Sequence, residues 1–401
     1  MTPSKTSSRT TKTPTSTPKP SKSAELPDII PFPEEQLTAT RLAGWLQMAE
    51  GLARQQPPPL TLEEIAALSR RERLIYDDQR SVWHANLRFI RTRQVQELFR
   101  RIRLIVASNR QDGYKVRTSP VINGVGGLGK TTAAQQFGLE HFRDSVLKYG
   151  PRTSHGHLRV PSAYLCLTGT ATLRDVNERL CQFYELATSG NANQLSSRAL
   201  DAVKKCQTNL IIVDDIHFLD MHRRDDRVVI NHLKSLANTY PVTFMYVGVD
   251  LDGRGLFDEG DDITGRAGSQ QARRWSRLEL GKFELSTGDE RQDWRSLLLA
   301  LEQQLVLANA SRGMLADELR EYVYTRTTGH FASLSSLIAQ GCQAAIDSGI
   351  ERLTEELLNT VTIDDGAEKS RALLQQQFAE GLISAELPRQ KKPLRGPAKR
   401  D

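Results

Sequence analysis

The residues of this 401-residue chain with the plainest chemical capacity lie in the run Gly124-Val125-Gly126-Gly127-Leu128-Gly129-Lys130-Thr131-Thr132. The run fits the pattern G-x-x-x-x-G-K-[ST]. Its glycines let successive backbone N–H groups turn inward around phosphate oxygens that side chains would keep out. The cofactors expected there are ATP and Mg²⁺: Lys130 would reach the β and γ phosphates, and the Thr131 hydroxyl would ligate the metal. A chance match is on the order of one in a hundred for a chain this long. The short apolar strand before it and the helix after it supply the context the motif needs.

A second motif supports the first. Leu210-Ile211-Ile212-Val213-Asp214-Asp215 is a continuous apolar run ending in two carboxylates, as expected of a buried parallel strand emerging beside the phosphate loop. Asp214 there would be the metal-side acid, orienting a Mg²⁺-bound water, and Asp215 would polarise the attacking water. Many ATPases of this type have Glu at the second position, and Asp is shorter by one methylene, so slow hydrolysis is expected.

Other residues have two readings each. Arg273 or Arg274, in the stretch Gly265–Arg277 with Arg266, would serve as an arginine finger on the transferring phosphoryl group or as solvated surface. His217 would sense nucleotide or pack. Arg152, His155, His157 and Arg159, before the second strand, and Arg174 after it, would touch DNA phosphates or line exposed loops. Cys166, Cys181, Cys206 and Cys342 lack the spacing of a zinc site or a disulfide framework and read as small hydrophobes.

The elements that must position these groups follow from periodicity. A helix is expected from Glu34 to Gln55 on Leu42, Trp45, Met48 and Leu52, and Thr61-Leu62-Glu63-Glu64 matches a capping box that opens another. Thr92 to Ser108 reads as a further helix, with Val95, Leu98, Phe99, Ile102 and Ile105 on one side. Strands are expected at Pro120–Asn123, Ala163–Leu167, Leu210–Asp214 and Val242–Val249, with a short one near Phe283–Leu285. Helices follow at Glu290–Ala308, Met314–Tyr324, Ser333–Asp347 and Thr354–Val361. The fold class is α/β: a P-loop parallel sheet flanked by helices, with a helical lid. The expected domains are a basic tail (1–30), an N-terminal helical region (31–115), the ATPase core (116–286), the lid (287–362), a helical extension (363–385) and a second basic tail (386–401).

Charge refines this picture. The chain carries +6, but residues 1–24 carry +5 and residues 387–401 another +5, which leaves the body at −4. The tails are too poor in apolar residues to fold alone. They read equally as solubilising segments or as arms for phosphate backbones or a partner. No apolar stretch of about 18 residues exists, and no secretory leader is visible, so the expected address is the cytoplasm, with no membrane partner.

With these parts in place, residues 75–362 resemble the AAA+ transposition proteins of the TniB and TnsC type, ATPases that accompany DDE transposases. Besides the two nucleotide motifs, the resemblance rests on Tyr76-Asp77-Asp78, Phe89-Ile90-Arg91-Thr92 and Tyr246-Val247-Gly248. It also uses the Arg273-Arg274 segment before Leu280, and Thr327-Thr328-Gly329-His330 opening a lid helix. It implies an ATP- and Mg²⁺-dependent homo-oligomer, ring or filament, on double-stranded target DNA. Its partners would be a DDE transposase and a target-selection adaptor. Asp215 departs from the Glu common in that family, and Val249 stands where a hydroxyl residue is usual. His330, Ser333 and Ser335 occupy the part of the lid where many AAA+ proteins place a nucleotide-sensing Arg. The two nucleotide motifs also resemble the NB-ARC or STAND signalling switches, although no Thr-Thr-Arg follows the fourth strand and no Gly-Leu-Pro-Leu appears in the lid.

Overall fold

The structure, a computed structural model, describes residues 38–51, 54–111, 117–169, 171–219, 224–240, 242–254 and 275–387. Five parallel strands, β1 (Ser119–Asn123), β2 (Ser162–Cys166), β3 (Leu210–Asp214), β4 (Thr243–Val247) and β5 (Trp275–Glu279), form one sheet in the order β2-β3-β4-β1-β5. β1, β3 and β4 are buried along their whole length, which is why they read as unbroken apolar runs.

Helices α1 (Leu42–Glu50), α2 (Leu62–Ala67), α3 (Arg70–Ala85) and α4 (Arg93–Ser108) precede the sheet. α5 (Lys130–Tyr149), α6 (Leu173–Phe183), α7 (Ala192–Lys205) and α8 (Arg224–Thr239) connect its strands. The lid contains α9 (Gly288–Glu302), α10 (Arg320–Thr327), α11 (Phe331–Ser348) and α12 (Glu355–Leu358), and α13 (Asp365–Ala379) follows it.

Three expectations are corrected. The fifth strand lies at Trp275–Glu279, not at Phe283–Leu285. It is an edge strand whose sequence Trp-Ser-Arg-Leu-Glu offers little apolar alternation, whereas Phe283 and Leu285 are apolar because they pack beneath the lid. The first helix starts at Leu42, and residues 34–37 of its expected span lie outside the described residues. The stretch Met314–Tyr324 splits into a π turn, Met314–Glu318, and the start of α10; the Glu302 carboxylate accepts the amides of Gly313 at 2.6 Å and Leu315 at 2.9 Å at this bend.

The capping boxes at Thr61–Glu64 and Ser69–Glu72 set the starts of α2 and α3. The N-terminal helices divide between two cores. α1 and α4 pack on the sheet layer, where the fully buried Trp45 stacks on Tyr164 at 5.9 Å and donates its indole N–H to Ser162 at 3.2 Å. α3 instead docks on the lid. There the buried Arg80 pairs with the buried Glu351 at 2.6 Å and with Asp77 at 2.5 Å, and Tyr76, Trp83 and Val306 share a separate apolar cluster. Tyr76 and Asp77, part of the pattern that carried the resemblance, therefore serve this clamp. No helix of the described residues is long and apolar enough to cross a membrane.

Candidate nucleotide site

The phosphate loop leaves the C-terminal end of β1 and runs into α5, whose first residue is Lys130. That end of an open parallel sheet is where ligands settle, because strand ends and helix N-termini converge there. Gly124 must be glycine for space: a Cβ would stand 2.4 Å from the Leu280 carbonyl oxygen. Gly127 must be glycine for conformation, with φ at +74°. The loop, with Asp214, Asp215, Val247, Gly248 and Val249, encloses a depression of about 250 Å³.

Lys130 is buried and its ammonium donates to the Val125 carbonyl, which places it over the loop. Burial pulls its pKa down, and the Asp214 and Asp215 carboxylates oppose that shift. Asp214, at the end of β3, is 1% exposed. Its Oδ2 accepts the Tyr164 hydroxyl at 2.7 Å, its Oδ1 accepts the Asp215 amide at 2.8 Å, and Thr131 also hydrogen-bonds to it. Burial raises its pKa against those three bonds. Thr131 and Asp214 thus present hard oxygens beside the cradle, a donor set that suits Mg²⁺, while the inward-facing loop suits a triphosphate. The residues present fit both groups.

Asp215 sits in left-handed backbone, φ +58° and ψ +31°. The Cys166 thiol donates to Asp215 Oδ2 at 3.1 Å, and His217 Nδ1 lies 3.7 Å from Oδ1. Burial, followed by the carboxylates, pushes the Cys166 thiol up to about 12, so it stays protonated and able to donate. His217 stacks on Phe218 with ring centres 4.6 Å apart, and burial holds its pKa down. Sequence reasoning missed Tyr164 and Cys166. Both lie on β2, and the parallel register that sets Tyr164 beside Ile212 and Cys166 beside Asp214 is their only signal.

The lid closes on the loop from above. The Ala332 amide, in the first turn of α11, donates to the Gly127 carbonyl at 2.9 Å. His330 Nδ1 is 2.7 Å from the Thr328 hydroxyl, and Ser333 donates to Asp364 at 2.6 Å. Arg326, close in sequence, faces away: its guanidinium donates to the carbonyls of Leu358 at 2.6 Å and Val361 at 2.7 Å, and to Glu368 at 2.8 Å.

The remaining candidates are dispersed. Arg266, Arg273 and Arg274 lie outside the described residues. Arg277 stands on β5, paired with Asp252 and Glu279. Arg174 is at the nucleotide end of the sheet and pairs with Glu178. Arg152, His155, His157 and Arg159 precede β2, at the opposite end. There Arg152 donates to the Gly156 carbonyl at 3.0 Å and Arg159 to that of Gly150 at 2.8 Å.

Residues 114–255 match the family described as AAA domain. A search of curated protein sequences finds no match. Among solved structures, the chain is similar to the Aeropyrum pernix ORC1 protein in complex with DNA. Identity there is 14% over 75% of this chain and 71% of that one, with a TM-score of 0.50. It is also similar to the Aeropyrum pernix ORC2 protein in its ADPNP and ADP complexes, with 13% identity over 73% and 71% of the two chains and a TM-score of 0.52. Identities this low establish fold alone. With the phosphate loop, the five-stranded parallel sheet and the helical lid in place, the chain carries the fold of the AAA+ P-loop ATPases, and residues 114–255 are the part that matches the AAA domain.

Proposed function

We propose that the protein is an ATP-dependent switch that assembles with copies of itself on double-stranded DNA and licenses or recruits a DDE transposase there. The observation that carries the switch is the contact between Ala332 and Gly127. The lid rests on the loop whose amides would hold the phosphates, so whatever fills the loop bears directly on the lid. Gly124 to Thr132 would bind the triphosphate, Thr131 and Asp214 would hold Mg²⁺, and Asp215 would polarise the attacking water. When bound, Mg²⁺ supplies charge neutralisation of the phosphates. Asp215 is short for its role, and one of its oxygens already accepts the Cys166 thiol, which favours a slow timer over a vigorous hydrolase. The DNA and transposase parts are supported by the resemblance to the TniB and TnsC type and by the shared fold with ORC1, a protein solved on DNA.

Electron microscopy of the full chain with duplex DNA and ATP, ADP or no nucleotide tests this. Rings or filaments that need both DNA and ATP are expected. Assembly indifferent to DNA would overturn the proposal and favour a signalling switch of the STAND kind.

A further inference from the structure

The phosphate loop occupies one end of the sheet, and a cluster of cationic side chains stands at the other. At the end where the strands begin, α4 and α5 finish side by side and enclose a cleft of about 450 Å³. Arg110, Arg117 and Lys148 line it, together with Tyr149, and its floor includes Phe137 and His141, whose rings stack at 6.4 Å. Arg110 donates to the Tyr149 hydroxyl at 2.9 Å, and the Lys148 ammonium lies 5.0 Å from the centre of the Tyr149 ring. Arg159 covers the same ring at 5.6 Å.

Among the described residues, none of Arg110, Arg117, Lys148, Arg152 and Arg159 forms an ion pair with a carboxylate. Other surface arginines are neutralised by a neighbouring carboxylate, as in Arg91 with Glu140, Arg174 with Glu178 and Arg295 with Asp317. Asp144 is the one acid lining the cleft. Within a body of net charge −4, this edge holds Arg110, Arg117 and Lys148 beside one carboxylate, while a fourth lining cation, Arg103, is paired with Glu140 at 3.2 Å. Part of that charge offsets the carbonyl ends of α4 and α5. The rest is available to an external anion. The array consists of guanidinium, ammonium and phenol groups around an open cleft, and these donors suit phosphate oxygens without reading bases.

We propose that this edge, centred on Arg110, Arg117 and Lys148, binds the phosphodiester backbone of duplex DNA. The inference rests on the DNA-associated function proposed above and names the surface that serves it. β1 separates this edge from the phosphate loop by roughly 16 Å, at about 3.3 Å per residue, so ATP and DNA would bind without competing. Arg152 and Arg159 would flank the contact.

The test compares the full chain with a triple variant, Arg110→Gln with Arg117→Gln and Lys148→Gln, for binding to a labelled duplex of arbitrary sequence across a salt titration with ATP and Mg²⁺ present. Both proteins keep the basic tails, so the difference isolates the edge. Each lost phosphate contact removes about 0.9 from the slope of log affinity against log salt, so a fall of roughly 2 to 3 is expected. A charge-preserving variant, Arg110→Lys with Arg117→Lys, should restore the parental slope, and the thermal shift with ATP should be unchanged. If the triple variant loses that thermal shift, the single variants Arg117→Gln and Lys148→Gln decide, each at about one slope unit. A parental slope in the variants overturns the inference while DNA association stands. Failure of the parent to bind duplex at any salt removes the proposed function and this inference together.

Discussion

The backbone amide of Ala332 donates to the backbone carbonyl of Gly127 at 2.9 Å, joining the first turn of a lid helix to the middle of the phosphate loop. A Cβ on Gly127 would meet the Ala332 Cβ at an ordinary 3.5 Å, so the constraint on this residue is its positive φ of +74°. Replacing Gly127 with Ala should therefore cost about 1 kcal/mol in backbone strain alone and weaken nucleotide affinity by about fivefold or more. Titration with a fluorescent ATP analogue reads this, and unchanged affinity would show that the loop tolerates a different conformation.

Lys130 and Asp215 should separate binding from turnover. Lys130→Ala removes the buried ammonium and should abolish the rise in melting temperature that ATP and Mg²⁺ produce. Asp215→Asn keeps the left-handed backbone, which Asn adopts readily, and should retain that rise while phosphate release falls to background. Phosphate release at the parental rate from the Asn variant would reassign the water-polarising group.

The clamp between α3 and the lid should be sensitive to loss of one partner. Arg80 and Glu351 are both essentially inaccessible, at 0% and 1% exposure. Arg80→Met leaves the Glu351 carboxylate with only the Ala308 amide at 3.2 Å and the longer Arg73 contact at 3.9 Å, and breaking a buried pair in this way costs about 3–5 kcal/mol. A denaturant midpoint within error of the parent would mean that water reaches Glu351.

His84, near that clamp, predicts a pH dependence. Its Nε2 accepts the Val306 amide at 3.0 Å, and burial, reinforced by the Arg80 guanidinium, lowers its pKa from 6.5 to about 4. The unfolded chain thus takes up this proton first. The stabilisation is complete above about pH 6.5 and is lost as pH falls toward 4, by roughly 3 kcal/mol in all. His84→Gln keeps an acceptor without the titration, so the difference in melting temperature between parent and variant should change across that window. Parallel curves would exonerate His84.

Much of the fold and part of the site was legible because it is local. The phosphate loop needs contiguous residues, the capping box at Thr61 needs four, and β3 is apolar throughout because both its faces are covered. What escaped is non-local. Trp275–Glu279 pairs along one edge only, so its side chains carry no strong alternation. Val306 is apolar and follows the span of α9, yet its amide and carbonyl go to His84 and Arg80, so the helix stops at Glu302.

Thus the order of residues alone determined that this chain has a loop shaped for phosphates, because amides presented by a glycine-rich turn and the lysine that follows them are set within nine consecutive positions. It also determined the two carboxylates that end β3. Tertiary structure decided which groups surround them. Strand register placed Tyr164 on Asp214 and Cys166 on Asp215. Lid packing brought Ala332 to Gly127, and the run of the sheet put Arg152 and Arg159 at the end away from the phosphate loop. These are contacts between residues far apart in the chain, whose free energy depends on burial and distance in space, and no local pattern encodes either.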